Sequence, residues 1–331
     1  MQTKHTPARV AAAGAPLAWK AGSMRWLVAS AVCLGAVAAG GARPVSQAQT
    51  PRVQIEMKNV RLHVASGVTL DVTGLRGTMI SRTAGPPVFD DQRSYVLELD
   101  TASLSMTIAS LQTLVTNHVF AAPGAPLKDI KLGVDGDRLK MSGKLHKGID
   151  VPFSTKASVR ASPDGRLQFH TESMKAIGIP AKGLLDLFGL KLDDLVNLKN
   201  QRGVAIDGDD ILISPGQALP PPEIRGRLAK VSLAQNRLLQ VFDDGAGKPK
   251  ALKPPSPSAK NYIYFSGGDI TFGKLTMHGA DLQLIDSDPA DWFDFYPEKY
   301  NAQLVAGYSK NTPSGGLKTY MPDYDDMRRK K

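Results

Sequence analysis

The densest run of chemically capable side chains is Asp286-Ser287-Asp288-Pro289-Ala290-Asp291-Trp292-Phe293-Asp294. Hard cations such as Ca²⁺ take several carboxylate oxygens, and Asp286, Asp288 and Asp291 are spaced to supply them. The run has neither the central glycine nor the distal glutamate of a calcium hand. An acidic turn that caps a strand and a helix is the preferred reading, with a calcium site and carboxylate acid–base chemistry as the alternatives. Two carboxylates acting on a glycosidic bond would also need a sugar platform, and only Trp292, Phe293 and Tyr296 stand near enough in sequence. The ring group Trp292, Phe293, Phe295 and Tyr296 either docks at a membrane interface or seals the end of a sheet, and sealing is the favoured reading.

Other catalytic signatures are missing. His63, His118, His146, His170 and His278 are scattered, none with a second histidine at metal-ligand spacing. No serine sits in Gly-x-Ser-x-Gly, and none carries the companion motifs of a Ser-x-x-Lys nucleophile. Gly74-Leu75-Arg76-Gly77 and Gly245-Ala246-Gly247-Lys248 lack the full spacing of a phosphate loop, and Pro249 forbids the helix that must follow the second. The single cysteine, Cys33, lies in an apolar N-terminal stretch, so the body of the protein has no thiol for a disulfide or a metal. No enzyme activity and no cofactor are expected. A hydrolase using the 286–294 carboxylates is the third-ranked reading.

The formal charge of +10 shrinks on dissection. Residues 1–48 contain Lys4, Arg9, Lys20, Arg25 and Arg43 and no acid; without them 36 basic residues face 31 acidic ones. Four of those bases form the tail Arg328-Arg329-Lys330-Lys331, which leaves the body near neutrality and removes the main support for nucleic-acid binding. The tail permits peripheral contact with an anionic membrane, although a solvated charge run is the plainer reading. Arg25, the apolar run Trp26–Gly40 and Ser46-Gln47-Ala48 match a signal peptide cut after Ala48, with an N-terminal extension before it. The run falls short of the roughly 20 residues of a membrane span. The expected location is the periplasm or the extracytoplasmic face of the envelope.

Something must position whatever site exists, and the patterning favours strands. Apolar residues make up 42%, while 31 glycines and 23 prolines supply turns. Val53, Ile55, Met57, then Val60, Leu62, Val64, then Val68, Leu70, Val72 alternate with period two, and Tyr95–Leu99 resumes after Pro86-Pro87. Leu104, Ile108, Leu111, Leu114, Val115 and Val119 step by three and four, which predicts a helix capped by Ser103 or Asp100 and closed by Pro123-Gly124. A meander over 127–172 follows, punctuated by Asp135-Gly136, His146-Lys147-Gly148 and Asp164-Gly165. A second helical region is predicted over 180–199, starting at Pro180 and split at Gly189, with Leu184, Leu185, Phe188, Leu192 and Leu195 among its apolar residues. Strands return at 204–206, 211–213 and around 224–233. The predicted domains are a signal segment (1–48), an α+β domain (49–243), a Pro/Lys-rich linker (244–260), a strand-rich extension (261–310) and a flexible basic tail (311–331).

One stretch, about 95–242, has a familiar cadence: Ile130-Lys131-Leu132-Gly133-Val134-Asp135-Gly136-Asp137-Arg138-Leu139, then Gly148-Ile149-Asp150-Val151-Pro152 and Pro163-Asp164-Gly165-Arg166-Leu167, then Ile177-Gly178-Ile179-Pro180 with Leu184-Leu185-Asp186-Leu187. It resembles the LmeA-like phospholipid-binding proteins of bacterial envelopes, and more distantly the tubular lipid-binding superfamily; the strand-rich end also resembles AsmA-type envelope proteins. The resemblance covers under half the chain and implies a β-rich α+β fold: a strongly curved antiparallel sheet wrapped on one or two helices, with a strand-rich C-terminal extension. It also implies a phospholipid or other apolar ligand held by Leu104, Ile108, Leu111, Leu114 and Val115 with Leu184, Leu185, Phe188, Leu192 and Leu195. At roughly 0.8 kcal/mol per buried CH₂, an acyl chain needs no charged contact for affinity. Two other outcomes stay open: a closed core filled by the same residues, and a structural or assembly role in the envelope through protein contacts.

Overall fold

Strands that alternate apolar and polar residues have one face that must leave water, so they assemble face-in. The computed structural model describes residues 50–120, 127–147, 149–176, 179–181, 203–208, 210–247 and 249–329. β1 (Arg52–Ala65), β2 (Val68–Ser81) and β3 (Tyr95–Thr107) make an antiparallel meander. Helix α1 (Ile108–Leu114) and a π turn (Val115–Val119) carry the chain to a second sheet. Its strands are β4 (Leu127–Asp135), β5 (Arg138–Lys147), β6 (Ile149–Ala161), β7 (Leu167–Ala176), β8 (Ile179–Ala181), β9 (Val204–Asp207) and β10 (Asp210–Ile213). The one-turn helix α2 (Pro215–Ala218) returns it to the first sheet as β11 (Glu223–Arg225), β12 (Leu228–Ala234) and β13 (Arg237–Asp243). Beyond 260 come β14 (Tyr262–Ser266), the small hairpin β15 (Ile270–Phe272) and β16 (Leu275–Met277), β17 (Asp281–Asp286) and β18 (Phe293–Phe295). After β18 come α3 (Tyr300–Ala306), β19 (Tyr308–Asn311), β20 (Leu317–Met321) and α4 (Tyr324–Arg329).

The first sheet runs β12-β13-β3-β2-β1-β14-β17-β20-β19, with β11 alongside β3 and β18 alongside β1. The second runs β4-β5-β6-β7-β10-β9, with β8 on β7. The protein is thus β-rich, with large, mainly antiparallel sheets and few short helices, and among the described residues neither sheet closes into a barrel. The hairpins at Asp135-Gly136 and Asp164-Gly165 form where the turn residues place them, with Gly136 and Gly165 in the left-handed region that glycine adopts readily.

Several expectations need correction. Leu104 is not on a helix: β3 runs through it to Thr107, paired with Val72 of β2 and Gln240 of β13, and these ladders override the three-four spacing. The helix is seven residues long, and its cap is Thr107, whose side chain accepts from the Ser110 amide at 3.0 Å, rather than Ser103 or Asp100. Pro180 sits in β8 opposite Lys175, not in a first helical turn. Residues 261–310 are no appendage, because β14 pairs directly with β1 and β17 extends the same sheet. The end of the chain is not loose either: β20 lies parallel to β17, with Met321 fully buried. The signal segment, Pro123-Gly124 and Leu184, Leu185, Phe188, Leu192 and Leu195 lie outside the described residues.

A single apolar cluster joins the inner face of the first sheet (Val60, Val72, Met79, Leu97) to that of the second (Leu139, Ala157, Leu167, Phe169). Phe89, Phe265, Phe272 and Tyr300 pack ring on ring at 4.9–5.7 Å over the β14 side. The outer face is polar: Asp71 accepts from Arg61 at 3.0 Å and Arg237 at 2.5 Å, and Glu56 accepts from Arg76 at 2.8 Å. The 244–260 segment has no regular element but is pinned to this face, Gln283 exchanging two hydrogen bonds with the Ser256 backbone. A chain ended at Asp243 would strip one whole edge from β1 and uncover Val53, Ile55 and Val60. It is expected to lose cooperative thermal melting by circular dichroism; a fragment that melts like the whole protein would contradict this architecture.

Candidate functional site

Where the two sheets face each other, the packing leaves a cavity of about 130 Å³. The first sheet contributes Leu70 of β2, Leu104 and Met106 of β3, and Leu238, Gln240 and Phe242 of β13. Helix α1 and its π turn contribute Leu111, Leu114 and Val115, and the second sheet contributes Leu139, Met141, Ala157, Leu167 and Phe169 among others. Leu219 and Ile224, on either side of three prolines, close it from the α2–β11 connection. Among the described residues, no charged side chain lines it. A second void of about 70 Å³ shares Leu70, Leu104, Leu219 and Ile224 with the first and runs toward Pro297 and His63.

Of the residues expected to hold a ligand, Leu104, Leu111, Leu114 and Val115 line the cavity. Ile108 is buried in the same core without lining it. The whole contribution of the second sheet, and Leu238, Gln240 and Phe242 of β13, escaped sequence reasoning. Only the left-handed pair Gln235-Asn236, which turns β12 into β13, marks that hairpin locally.

The void has an energetic consequence. At about 24 cal/mol per Å³, a fully enclosed void of 130 Å³ costs on the order of 3 kcal/mol relative to a packed core. Its size is near that of an engineered apolar cavity of about 150 Å³ that stays dry and binds benzene. It falls below the roughly 300 Å³ at which a pocket buries a drug-sized molecule whole. The space fits part of an alkyl chain.

The acidic run assembles differently from its spacing. Asp286 and Asp291 meet Asp323, from the C-terminal segment, with one oxygen of each within 4.8 Å of the others. Asp288 does not join them, because its amide donates to Asp286 Oδ1 at 2.8 Å and its own Oδ1 accepts from the Ala290 amide at 3.1 Å, an Asx turn. Next to this group, His63 Nε2 lies 2.6 Å from Asp294 Oδ1, with the imidazole stacked on Tyr296 at 5.2 Å. Phe293 and Phe295 are fully buried, so two of the four rings of the run seal the core.

The protein's own donors occupy these carboxylates. Asp286 accepts from Asn261 and from the Asp288 amide, Asp294 from His63 and the Asp325 amide, and Asp323 from the Asp294 amide at 2.7 Å. Burial pushes the Asp286 carboxyl up, against the hydrogen bond from Asn261. Burial pushes Asp323 further, to about 7, with the charges of Asp286, Asp291 and Asp294 adding to the effect and the Asp294 amide opposing it.

Comparison of the chain with protein-family models, with curated proteins and with solved structures finds no match in any of the three.

Folded Asp323 keeps its proton up to about pH 7, whereas unfolded it releases it near pH 4. The folded form therefore binds more protons between those values, so this group's contribution is full below about pH 4 and is lost as pH rises through 7. Asp323→Asn, which keeps the acceptor for the Asp294 amide, is expected to match the parent at pH 4. At pH 8 it should be more stable, by up to about 4 kcal/mol at about 1.4 kcal/mol per pH unit. Urea titrations at the two pH values measure the difference, and equal stabilities at pH 8 would contradict it.

Proposed function

We propose that this protein is exported to the bacterial envelope and there holds lipid or another apolar ligand without catalysing a reaction on it. The observation that carries the reading is the apolar cavity between the two sheets, about 130 Å³ and with no charged side chain among its described lining residues. Closed cores are packed to crystal-like density, so an apolar space of this size is more in keeping with a binding site than with a closed core. The adjoining void of about 70 Å³ lengthens the space along the first sheet, which suits a chain better than a compact molecule. In this reading the two sheets and the short helix between them serve as the tubular lipid-binding arrangement that the order of elements suggests. No described helix is long and apolar enough to cross a membrane.

The alternative, an envelope assembly protein acting through protein contacts, draws on the outer strand of the first sheet. All four residues of β19 are exposed, Tyr308 at 52%, and Val305 beside it is 86% exposed. Such an edge can take another strand.

Two measurements separate these readings. Protein purified from a bacterial envelope is expected to begin at Gln49 and to carry apolar ligand in native mass spectrometry. Ala157→Leu, which places a larger side chain against the void, is expected to abolish that ligand while leaving the fold as stable or more stable by about 0.5–2 kcal/mol. A ligand-free parent protein that also refuses added phospholipid would sink the binding reading, and self-association through β19 would then lead.

A further inference from the structure

We infer that Gln240 reads an oxygen on the ligand, so that the ligand class is an alkyl chain carrying an uncharged oxygen function, a hydroxyl or an ester carbonyl, where it passes β13. The inference rests on the reading that the cavity holds an apolar ligand.

Strand β13 alternates cleanly: Leu238, Gln240 and Phe242 face inward and are buried, while Leu239 and Val241 face out. Gln240 therefore occupies a position that the pattern reserves for an apolar side chain. It lies opposite Leu104, and both line the cavity. It is 8% exposed, and its side-chain amide has no hydrogen-bond partner among the described residues.

The other buried glutamines behave differently. Gln283 bonds twice to the Ser256 backbone. Gln303 takes the Tyr296 amide and donates to the Asp294 and Pro322 carbonyls. Gln168 donates to Asp210 and accepts from Arg160. The fold pairs each of these amides and, among the described residues, leaves the one at the cavity wall unpaired. A buried amide without a partner is penalised for its lost hydration, and leucine or methionine at this position would avoid that.

The chemistry of the partner follows from the lining. A carboxamide offers both donors and an acceptor, so a hydroxyl can satisfy it in both senses and an ester carbonyl can take its donor. A carboxylate or phosphate does not suit this depth, because no cation stands among the described lining residues to pair with it and an isolated buried ion is far more costly than a neutral group. Any ionic head of an amphiphile stays outside, and the oxygen beside Gln240 is neutral.

The test uses octane, octanol, methyl heptanoate and octanoate as probes on the purified protein and on Gln240→Met, which keeps the length of the side chain and removes the amide. In the parent, octanol or the ester is expected to shift the Gln240 side-chain amide resonance, and octane to leave it in place. The ratio of octanol to octane affinity should fall roughly tenfold in Gln240→Met, the size of one net hydrogen bond. Octane binding that survives the substitution reports an intact cavity. An ester response without an alcohol response assigns the carbonyl, and the reverse assigns the hydroxyl. Unchanged ratios with an unmoved amide resonance, or octanoate binding tightest of the four, would overturn the inference and leave the cavity reading standing. If the parent binds none of the probes, both fall together.

Discussion

Strand β1 has two partners on one edge, and the rest of the molecule hangs on how it manages that. It pairs with β2 along its length, but its other edge takes β14 over Gln54–Lys58 and β18 over Val60–Leu62. Between these lies Asn59, in the left-handed region at φ 48°, its amide donating to the Lys260 carbonyl at 3.1 Å. Side chains alternate with period two, so the three-residue step from Met57 to Val60 would turn the second half of the strand inside out without a local irregularity. Asparagine is one of the few side chains that tolerates that conformation. Strand β2 slips in step at Gly74 against β3, and the inner apolar face continues unbroken across the irregularity. The β14 side and the β18 side of the protein are both registered through this one residue.

The cavity follows from what covers that face. Over the β14 side the cover is aromatic, with Phe89, Phe265, Phe272, Phe295 and Tyr300 filling space efficiently. Over the β13 side the cover is the second sheet with α1, where Ala157, Ala218, leucines and valines meet. The two covers meet at Leu70, Leu104, Leu219 and Ile224, and the unfilled volume lies on either side of that line. Aromatic residues are only 6% of the chain, and almost half fall within 261–309, so the side built from residues before 243 has few rings with which to fill its interior. A void is the predictable result of that distribution.

Much of the sheet structure is legible because two signals agree. In β1, β2, β5 and β17 the alternation sets the face, and at Asp135-Gly136 and Asp164-Gly165 glycine sets the turn. The α1 boundary fails because Leu104 and Ile108 happen to fall four apart, although Ser103, Ser105 and Thr107 already alternate with Leu104 and Met106 as a strand should. Strand β13 is hidden by the residue that makes it interesting: Gln240 at an inward position breaks the apolar alternation of Leu238 and Phe242. Four of the five helix-side candidates line the cavity, since a residue that faces a core from α1 or from β3 faces the same interior. Ala157, Leu167 and Phe169 are not recoverable, because nothing local tells which sheet lies opposite. Asp323 was invisible for the same reason, lying some thirty residues beyond the run whose geometry it completes.

The two unusual polar features of the interior differ in one respect that separates structure from binding. The acidic residues near the C-terminus look like ligands in sequence, yet both oxygens of Asp286 and of Asp294 are already engaged by protein donors. Two of those donors are backbone amides, as is the Asp294 amide held by Asp323, so the carboxylates clasp β17, β18 and α4 together. In α4 the first turn is acidic and the last basic, in the sense that its dipole favours. Arg61, opposite Asp294 across the β1–β18 ladder, adds compensating positive charge. Each of these carboxylate oxygens thus holds a donor supplied by the fold. Gln240 is the converse: an amide placed on an apolar wall, where neither neighbouring strand offers it a donor or acceptor. Hydrogen-bonding capacity, met by the fold at the acidic clasp and unmet at Gln240 among the described residues, is what distinguishes the two places.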